Sequence, residues 1–505
     1  MSTNEALLAL SAVELRRRIG SKEISPVELL EACIARIERI NPAVNAVTAV
    51  CYDRAREEAK AAEKAALRGE ALGLLHGLPT GIKDLDETGG LLTTFGSPLY
   101  RDFVPERDNA MVARVRAAGA IVVGKTNVPE FGAGANSRNF VWGATGNPFN
   151  PMLNAGGSSG GSAVALATSM LPVCTGSDTG GSLRIPAAIC GVVGFRPSPG
   201  LVPVERRGLG WTPISVVGPM GRTVADTCLL LGAQAAMDDC DPLSYPVEAN
   251  AFAIPEPRDL GSLRVACTED FGISPVDASI RKTFRDKVQA MRHLFKSCDA
   301  VAFDLFAEAD RCFDVIRAQN YAARYRDAYE KDPASLGPNV RANYEIAAGM
   351  SLADVASAHT EQTRIFRRFQ QTFRDYDVVL APTTPVSPFP WTQLYLTEMD
   401  GKPLRNYYHW LSLTYVVTLA TNPAIAMPCG VDHQGMPFGL QVVGRFRGDR
   451  ALLGAAHAME QAFAAIPSLR RPVPDLSKLM QPTPELKSIV THPPKAGTPM
   501  AASPA

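Results

Sequence analysis

The sequence predicts an α/β fold in which helices cover a mixed or parallel β-sheet. The helix-like run NAMVARVRAAG ends in glycine and leads at Ala120 into the strand-like run AIVVGKTN, and this helix–glycine–strand order is typical of such sheets. Two further β-branched runs, LPTGIKDLD and RVACTED, are bounded by Gly, Asn or Asp. A chain of 505 residues with 46% hydrophobic residues can bury a large core, although length alone leaves the number of domains open.

Three helices are predicted before the first of these strands, and the first is a short amphipathic helix within residues 1–20. Ser25 is a good N-cap in front of Pro26, and apolar residues then recur at helical spacing, so this helix is predicted to end near Asn41–Pro42. A charged, alanine-rich helix is predicted over about 53–68, with more of its surface in solvent.

The second half of the chain is predicted to be helical before it returns to strands. Residues from about 280 to 376 are predicted to be mostly helical and are richer in charge, and VVLAPTTP then predicts a strand. The run CGVDHQGMPFGLQVVGR predicts a hairpin near Gly435, followed by a helix over about 451–465. Residues 481–505 are Pro-rich and poor in apolar side chains, so we expect a mobile tail.

Composition and charge exclude several classes of function. Lys plus Arg and Asp plus Glu both number 51, so no basic face for nucleic acid or an anionic membrane is predicted. The N-terminus lacks the features of a secretory peptide, and no segment approaches about 18 consecutive apolar residues. The ten cysteines show no C-x-x-C spacing, which makes disulfides unexpected and favours a cytoplasmic location.

A Gly-Ser loop at Gly156–Ser162 opens directly into the apolar run AVALATSM. Backbone amides at the start of a helix favour negative charge, so the loop is predicted to form an anion cradle. It matches neither the P-loop nor the dinucleotide-binding motif. From the residues alone, catalysis and tight packing of the glycines are equally good interpretations.

The same loop contains GSSGG, which matches the G-x-S-x-G nucleophile elbow with Ser159 at its centre. A Ser-His-Asp hydrolase would need a histidine base, and a lone histidine is more often structural. Among the seven histidines only His409, beside tyrosines and Trp410, has the surroundings of a pocket residue. The histidines are His76, His293, His359, His409, His433, His457 and His492.

Lys83, in the apolar run LPTGIKDLD, is the alternative base. Burial lowers the pKa of a lysine, so its neutral amine can accept a proton near neutral pH. Strand alternation directs Lys83 and Leu85 to one face and the two aspartates beside them, Asp84 and Asp86, to the other. An ordinary ion pair between Lys83 and a neighbouring acid is the competing interpretation.

These residues resemble the signature of the amidase signature family. The resemblance is carried by Lys83, the GGSSGGS loop and GSDTGGSLRIPAAICGVVGFRPSPG. It extends to GKTNVPEFG, GATGNPFNP, GPMGRTVADTCLLL and NPAIAMPCGVDHQGMPFGLQVVG, and covers about residues 5–470. Members of the family hydrolyse amides with a Ser-cisSer-Lys triad. The resemblance implies that Ser182 is the nucleophile, Ser158 the bridging serine on a cis peptide, and Lys83 the terminal base.

The resemblance also implies the surroundings of the triad. The amides of Thr179, Gly180, Gly181 and Ser182 would form the oxyanion hole, and Asp178 and Arg184 would pair to hold the shape of this turn. Gly132 would border the bound substrate together with Ser158. No metal and no organic cofactor are implied.

One large domain over residues 1–480 is implied, with a mixed sheet covered by helices on both sides. Its parts would be N-terminal helices at about 5–70, a signature core at about 71–235, a helical insertion at about 280–376 and C-terminal strands and a helix at 377–470.

Aromatic residues outside the family-like motifs suggest a substrate class. If they line an acyl or aryl pocket, the enzyme prefers hydrophobic or aryl amides, with esters or carbamates as side substrates. Ordinary core packing is the other interpretation. The alternative functions are the A subunit of a glutamyl-tRNA amidotransferase, which works in a complex, and a catalytically inactive binding protein. A small-molecule substrate is expected, and a homodimer is left open. The aromatic residues and their histidine neighbour are Trp211, Trp391, Trp410, Tyr395, Tyr407, Tyr408 and His409.

Overall fold

The computed structural model describes residues 3–248, 250–304, 306–498 and 500. Its strands, in chain order, are β1 (Val47–Val50), β2 (Pro79–Lys83), β3 (Ile121–Thr126), β4 (Arg138–Asn139), β5 (Gly143–Ala144), β6 (Gly146–Asn147), β7 (Asn150–Asn154), β8 (Val173–Asp178), β9 (Val193–Arg196), β10 (Val216–Gly221), β11 (Arg264–Cys267), β12 (Ser297–Ala300), β13 (Val378–Pro382), β14 (Glu398–Met399), β15 (Lys402–Pro403), β16 (Ala424–Val431) and β17 (Pro437–Val443).

Helices surround these strands. The α-helices are α1 (Thr3–Ala9), α2 (Ala12–Gly20), α3 (Pro26–Val44), α4 (Tyr52–Arg68), α5 (Ala110–Ala117), α6 (Gly160–Ala167), α7 (Arg184–Cys190), α8 (Val224–Gln234), α9 (Ala278–Met291), α10 (Ala309–Lys331), α11 (Pro338–Ala348), α12 (Leu352–Asp375), α13 (Ser412–Leu419) and α14 (Asp449–Ala465).

Eleven of the strands form one mixed sheet in the order β1-β3-β2-β8-β10-β9-β16-β17-β13-β11-β12. Alternate residues of β3 belong to different apolar clusters: Ile121 and Val123 pack with α3 and α6, whereas Val122 packs with α5 and α8. Successive side chains of a strand point to opposite faces, so both faces of the sheet are buried under helices. The predicted single α/β domain with helices on both sides is confirmed.

The local signals in the sequence explain where the first long helix begins and ends. Ser25 Oγ accepts the Val27 N–H over 2.9 Å, which satisfies a free amide of the first turn of α3. The helix continues past Pro42 to Val44 and stops at Asn45, which is left-handed at φ 49°. It therefore ends slightly later than predicted. Among the described residues, no helix has both the length and the apolar character needed to cross a membrane.

The strands β2, β3 and β8, which contribute residues to the candidate active site, are neighbours in the sheet. β2 is parallel to both β3 and β8, with Gly81 opposite Cys174 in β8. The carboxyl ends of neighbouring parallel strands meet at one edge of a sheet, where α/β proteins commonly bind ligands. Lys83 at the end of β2 and Asp178 at the end of β8 are therefore brought to the same edge.

The C-terminal segment differs from the expected mobile tail over residues 481–498. Pro484–Lys487 forms a short 3-10 helix, and the Leu486 side chain is fully buried against Ala144 and Trp391. The Thr483 N–H donates to Pro42 O, and the Lys495 N–H donates to Asp102 Oδ1. The buried leucine and these hydrogen bonds together hold the Pro-rich segment against the rest of the domain. Of the remaining tail, Pro499 and residues 501–505 lie outside the described residues.

Leu486→Ala is expected to lower the free energy of unfolding by about 2–4 kcal/mol, because a buried leucine leaves a cavity when it is truncated. Val473→Ala is the matched control: Val473 is 70% exposed, so its truncation should cost less than about 0.5 kcal/mol. Denaturant unfolding of the full chain measures both. Equal stability of the two variants would mean that the segment does not pack as described.

Candidate active site

Lys83 is fully buried, and its amine contacts hydroxyl groups. Nζ donates to Ser158 Oγ and Ser159 Oγ over 2.8 Å each and to Ser177 Oγ over 2.9 Å. Among the described residues, no carboxylate forms an ion pair with it. Burial lowers the pKa of Lys83 to about 7, although the charges of Asp86 and Asp178 act in the opposite direction. A neutral amine next to hydroxyls can accept a proton from one of them.

The aspartates beside Lys83 are held by other groups. Asp84 accepts hydrogen bonds from the N–H and Oγ1 of Thr94. Lys125, on the adjacent strand β3, donates to the backbone oxygen of Asp86. The turn that follows β2 is thereby fixed without a carboxylate on Lys83; because β2 ends at Lys83, this follows from the contacts of the turn and not from the strand alternation on which the expectation rested.

The Gly-Ser loop before α6 presents one of its serines to a cleft. The Gly157–Ser158 peptide bond is cis. Ser158 is 2% exposed and lines the cleft, whereas Ser159 is completely buried behind it. The nucleophile-elbow interpretation, which required an accessible Ser159, is therefore not favoured. Within the described part of the chain, no histidine lines this cleft.

The loop is not an anion cradle, contrary to the expectation from its sequence. The N–H groups of Ser159, Gly160 and Gly161 donate to Ser182 O, Ser137 Oγ and Asn127 O. A Cβ added to Gly161 would lie 2.2 Å from the Asn127 backbone nitrogen. The glycines allow close packing, which was the competing interpretation.

The turn between β8 and α7 contains Ser182, which is partly exposed and lines the same cleft. Among the described residues, the N–H groups of Thr179, Gly180 and Ser182 have no acceptor, which leaves three donors at this turn. The Gly181 N–H differs, because it donates to Asp178 Oδ1 over 2.9 Å. Gly181 has φ 123°, and a Cβ there would lie 2.3 Å from Thr414 Oγ1.

Asp178 accepts a hydrogen bond from this turn and is itself paired with two buried arginines. Arg184 donates to Asp178 through Nε over 3.0 Å and Nη2 over 2.9 Å, and Arg196 Nη1 lies 3.2 Å from Asp178 Oδ1. All three side chains are buried. Burial alone would raise the pKa of Asp178, but the charges of the two arginines hold it well below its usual range. The predicted Asp178–Arg184 pair is present, and Arg196 was not identified because nothing in its local sequence distinguishes it.

The cleft is bordered by backbone and aromatic groups. A Cβ added to Gly132 would lie 3.3 Å from Ser158 Oγ, so Gly132 faces the serine as the resemblance implied. Phe131, Tyr321 and Tyr325 line the cleft beside it. These rings were not identified from the sequence, because the two tyrosines come from α10, in the helical insertion.

The aromatic residues for which a pocket and core packing were the two interpretations do not line this cleft. Trp211 is 79% exposed, whereas Trp391 and Trp410 are each 2% exposed within the core. Tyr395, Tyr407 and Tyr408 pack against one another. His409 Nε2 lies 3.2 Å from Asp310 Oδ2. Core packing, the other interpretation, is correct for the buried members of this group, which are Trp391, Trp410, Tyr407 and Tyr408.

Four arginines also line the part of the cleft that contains Ser158 and Ser182, and no Asp or Glu does so among the described residues. Arg206 and Arg207 are paired with Glu87 and Asp241. The other two, Arg317 and Arg324, form no ion pair with a described carboxylate. Within the described residues, no three His, Cys, Asp or Glu side chains are grouped so that they could hold a metal ion. That the enzyme needs no metal stays a prediction.

Comparisons with known proteins show what this chain is similar to. A sequence profile of the Amidase family matches residues 28–453. The acylamidase of Rhodococcus erythropolis is 34% identical over 465 residues, covering 91% of this chain and 96% of the relative. The A subunit of the glutamyl-tRNA(Gln) amidotransferase of Acaryochloris marina is 35% identical over 475 residues, covering 89% and 97%. The structure of a bacterial aryl acylamidase of the amidase signature family superposes with a TM-score of 0.82 at 27% identity, covering 95% and 98%.

Proposed function

The chain belongs to the amidase signature family of amide hydrolases, and we propose that it cleaves hydrophobic and aryl amides through an acyl-enzyme on Ser182. The observation that carries this proposal is the contact of the Lys83 amine with Ser158 Oγ over 2.8 Å, in a cleft that Ser182 also lines. The cleft aromatics Phe131 and Tyr321 favour apolar substrates. The similarity to acylamidases supports the same class.

The first half of the reaction forms the acyl-enzyme. Neutral Lys83 accepts the proton of Ser158, which accepts the proton of Ser182 as its Oγ attacks the carbonyl carbon. The oxyanion that forms accepts hydrogen bonds from the free amides of Thr179, Gly180 and Ser182. Each well-placed donor of this kind is worth about 3–4 kcal/mol. The protonated relay then delivers its proton to the leaving nitrogen, and the C–N bond breaks.

The second half releases the acid. A water molecule loses its proton to the Ser158–Lys83 relay as its oxygen attacks the ester carbon, and the same amides stabilise the second oxyanion. Return of the proton to Ser182 Oγ breaks the ester bond. Amine and carboxylic acid are the products, and Lys83 is neutral again.

The amidotransferase role is the alternative, and percentage identity does not separate it from an acylamidase. The lining of the cleft favours the acylamidase. Glutamine carries an α-carboxylate, which the arginines of the cleft could bind, and also an α-ammonium group, which needs a carboxylate partner; no Asp or Glu lines the cleft near Ser158 and Ser182 among the described residues. A homodimer remains a prediction.

A hydrolysis screen of the full chain tests the proposal with an anilide, acetamide, glutamine, an ester and a carbamate. We expect kcat/KM for the anilide to exceed that for acetamide and glutamine by about tenfold or more, since apolar contacts discriminate by about that factor per methylene or ring edge. Fastest turnover of glutamine, or copurification of other subunits from the native host, would favour the alternative instead.

A further inference from the structure

Arg317 is a buried cation that points to a feature of the substrate. The side chain comes from α10, is 4% exposed and lines the cleft near Ser182. Burying a charge without a counter-ion costs free energy, so buried arginines normally pair with a carboxylate. Among the described residues, none pairs with Arg317.

The neighbours of Arg317 are neutral and leave one end of the guanidinium free. Nε donates to Asn343 Oδ1 over 3.0 Å, and Nη2 donates to Tyr407 Oη over 2.7 Å and Tyr321 Oη over 3.3 Å. The guanidinium also lies 5.1 Å from the ring centroids of Tyr321 and Tyr408. Nη1 has no acceptor among the described residues. The group is held rigidly while two of its N–H bonds remain available to a ligand.

Arg324 adds a second positive charge about two turns further along α10. It is exposed, lines the same cleft, and its guanidinium lies 5.7 Å from the Tyr325 ring. The adjoining part of the cleft does contain acids, but Glu87 is paired with Arg206 and Glu205 with Arg107. The third acid, Asp86, is buried and faces the charges of Lys125 and Lys83. Arg317 and Arg324 are therefore left near Ser182 without a described carboxylate that pairs with either of them.

We propose that the substrate is an amide that also bears a carboxylate, which pairs with Arg317 Nη1 and Arg324 while its apolar part contacts Phe131, Tyr321 and Tyr325. The proposal rests on the proposed function, because it names the substrate class of the same site. A planar guanidinium that is already oriented matches a carboxylate well. A substrate with both an apolar part and a carboxylate would account for a cleft that is lined by aromatic rings and by arginines.

Two pairs of anilides of similar shape test the proposal, since the carboxylate can lie on either side of the amide. N-phenylsuccinamate is compared with N-phenylpentanamide, and 4-acetamidobenzoate with 4-isopropylacetanilide. We expect kcat/KM for the carboxylate to exceed that of its neutral counterpart by about tenfold or more in one pair, because hydrogen bonds to charged groups have that effect on binding. A ratio of one or less in both pairs overturns the proposal, whereas turnover of the neutral anilides still upholds the proposed function.

Single substitutions test which arginines cause the preference for the carboxylate substrate. Arg317→Gln and Arg324→Gln should each lower kcat/KM for the preferred carboxylate by about tenfold more than for its neutral counterpart, as expected for loss of a charged hydrogen bond. Arg326 lies on the same helix but does not line the cleft, so Arg326→Gln should change kcat/KM for the two substrates by the same factor. Because Arg324 is exposed, its variant gives the result even where Arg317→Gln fails to fold. An unchanged substrate ratio in Arg324→Gln and in any folded Arg317→Gln overturns the proposal.

A binding measurement distinguishes failure of the proposed function from failure of the proposed carboxylate site. If no anilide is hydrolysed, the proposed function fails, and calorimetric titration of the full chain with N-phenylsuccinamate and N-phenylpentanamide tests the carboxylate site alone. Tighter binding of the carboxylate, lost in Arg324→Gln, supports the proposal. Equal binding of the two compounds overturns it.

Discussion

Ser182→Ala is expected to lower kcat for a good anilide by at least about 10⁴-fold, the scale seen when the nucleophile of a serine hydrolase is removed. Ser182 is the hydroxyl at the turn whose free amides also form the proposed oxyanion hole. Since alanine removes only an oxygen from a partly exposed position, we expect the Tm and the Kd of a substrate to stay within experimental error. Single-turnover kinetics and calorimetry of the variant measure these quantities.

Ser159→Ala is the matched control for this result. Ser159 Oγ is as close to the Lys83 amine as Ser158 Oγ is, at 2.8 Å, but Ser159 is buried away from the cleft. Its loss removes one of the hydroxyl groups that orient Lys83, and we expect kcat to fall by less than about tenfold, as for one hydrogen bond. The opposite pattern, with Ser159→Ala inactive and Ser182→Ala active, would restore the nucleophile-elbow mechanism. Equal activity of Ser182→Ala and wild type would contradict the proposal of an acyl-enzyme on Ser182.

Residues that belong to a short local pattern were the most predictable part of the site. Lys83 ends a buried strand, and a strand with GIK in an apolar run can be identified from residue types and alternation. The turn TGGS was identifiable because its glycines take conformations that other residues avoid, as Gly181 does at φ 123°. Local signals of this kind do not depend on which other elements pack nearby.

The cleft walls could not be predicted, because they combine residues that are distant in the chain. Phe131 follows β3, whereas Tyr321 and Arg317 lie in α10, nearly 190 residues later. The sequence shows that α10 is a helix, but the way it packs decides which of its faces meets the cleft. For Tyr407 and Tyr408 the sequence left a pocket and core packing open, and in the structure both contact the Arg317 guanidinium, Tyr407 by a hydrogen bond and Tyr408 with its ring.

The turn that we propose as the oxyanion hole shows a similar limit at shorter range. Its four amides were equivalent as long as only the sequence was considered. Asp178 distinguishes them, because its carboxylate accepts the Gly181 N–H and is itself neutralised by Arg184 and Arg196. Arg196 reaches the turn from β9, and only the pairing of β9 in the sheet brings it there.

Hydrolysis is expected to require a deprotonated Lys83, so kcat/KM should rise with pH and level off above about pH 7. Burial lowers the pKa of this lysine from 10.5 to about 7. Below that pH the amine is protonated and cannot accept the proton of Ser158, so activity should fall about tenfold per pH unit. An ordinary, solvated lysine would place the same rise near pH 10. The pH dependence of kcat/KM with an uncharged anilide measures the midpoint.

Lys83→Met tests whether this lysine causes the profile. Methionine fills a similar volume but has no base, so we expect kcat/KM to fall by about 10²–10⁴-fold, the usual contribution of a general base, and the step near pH 7 to disappear. Lys287→Met is the matched control, because Lys287 is also buried but donates to Ser468 O outside the cleft. It should keep the wild-type midpoint even if its Tm is lower. A midpoint near 7 that persists in folded Lys83→Met would assign the titration to another group and remove Lys83 from the relay.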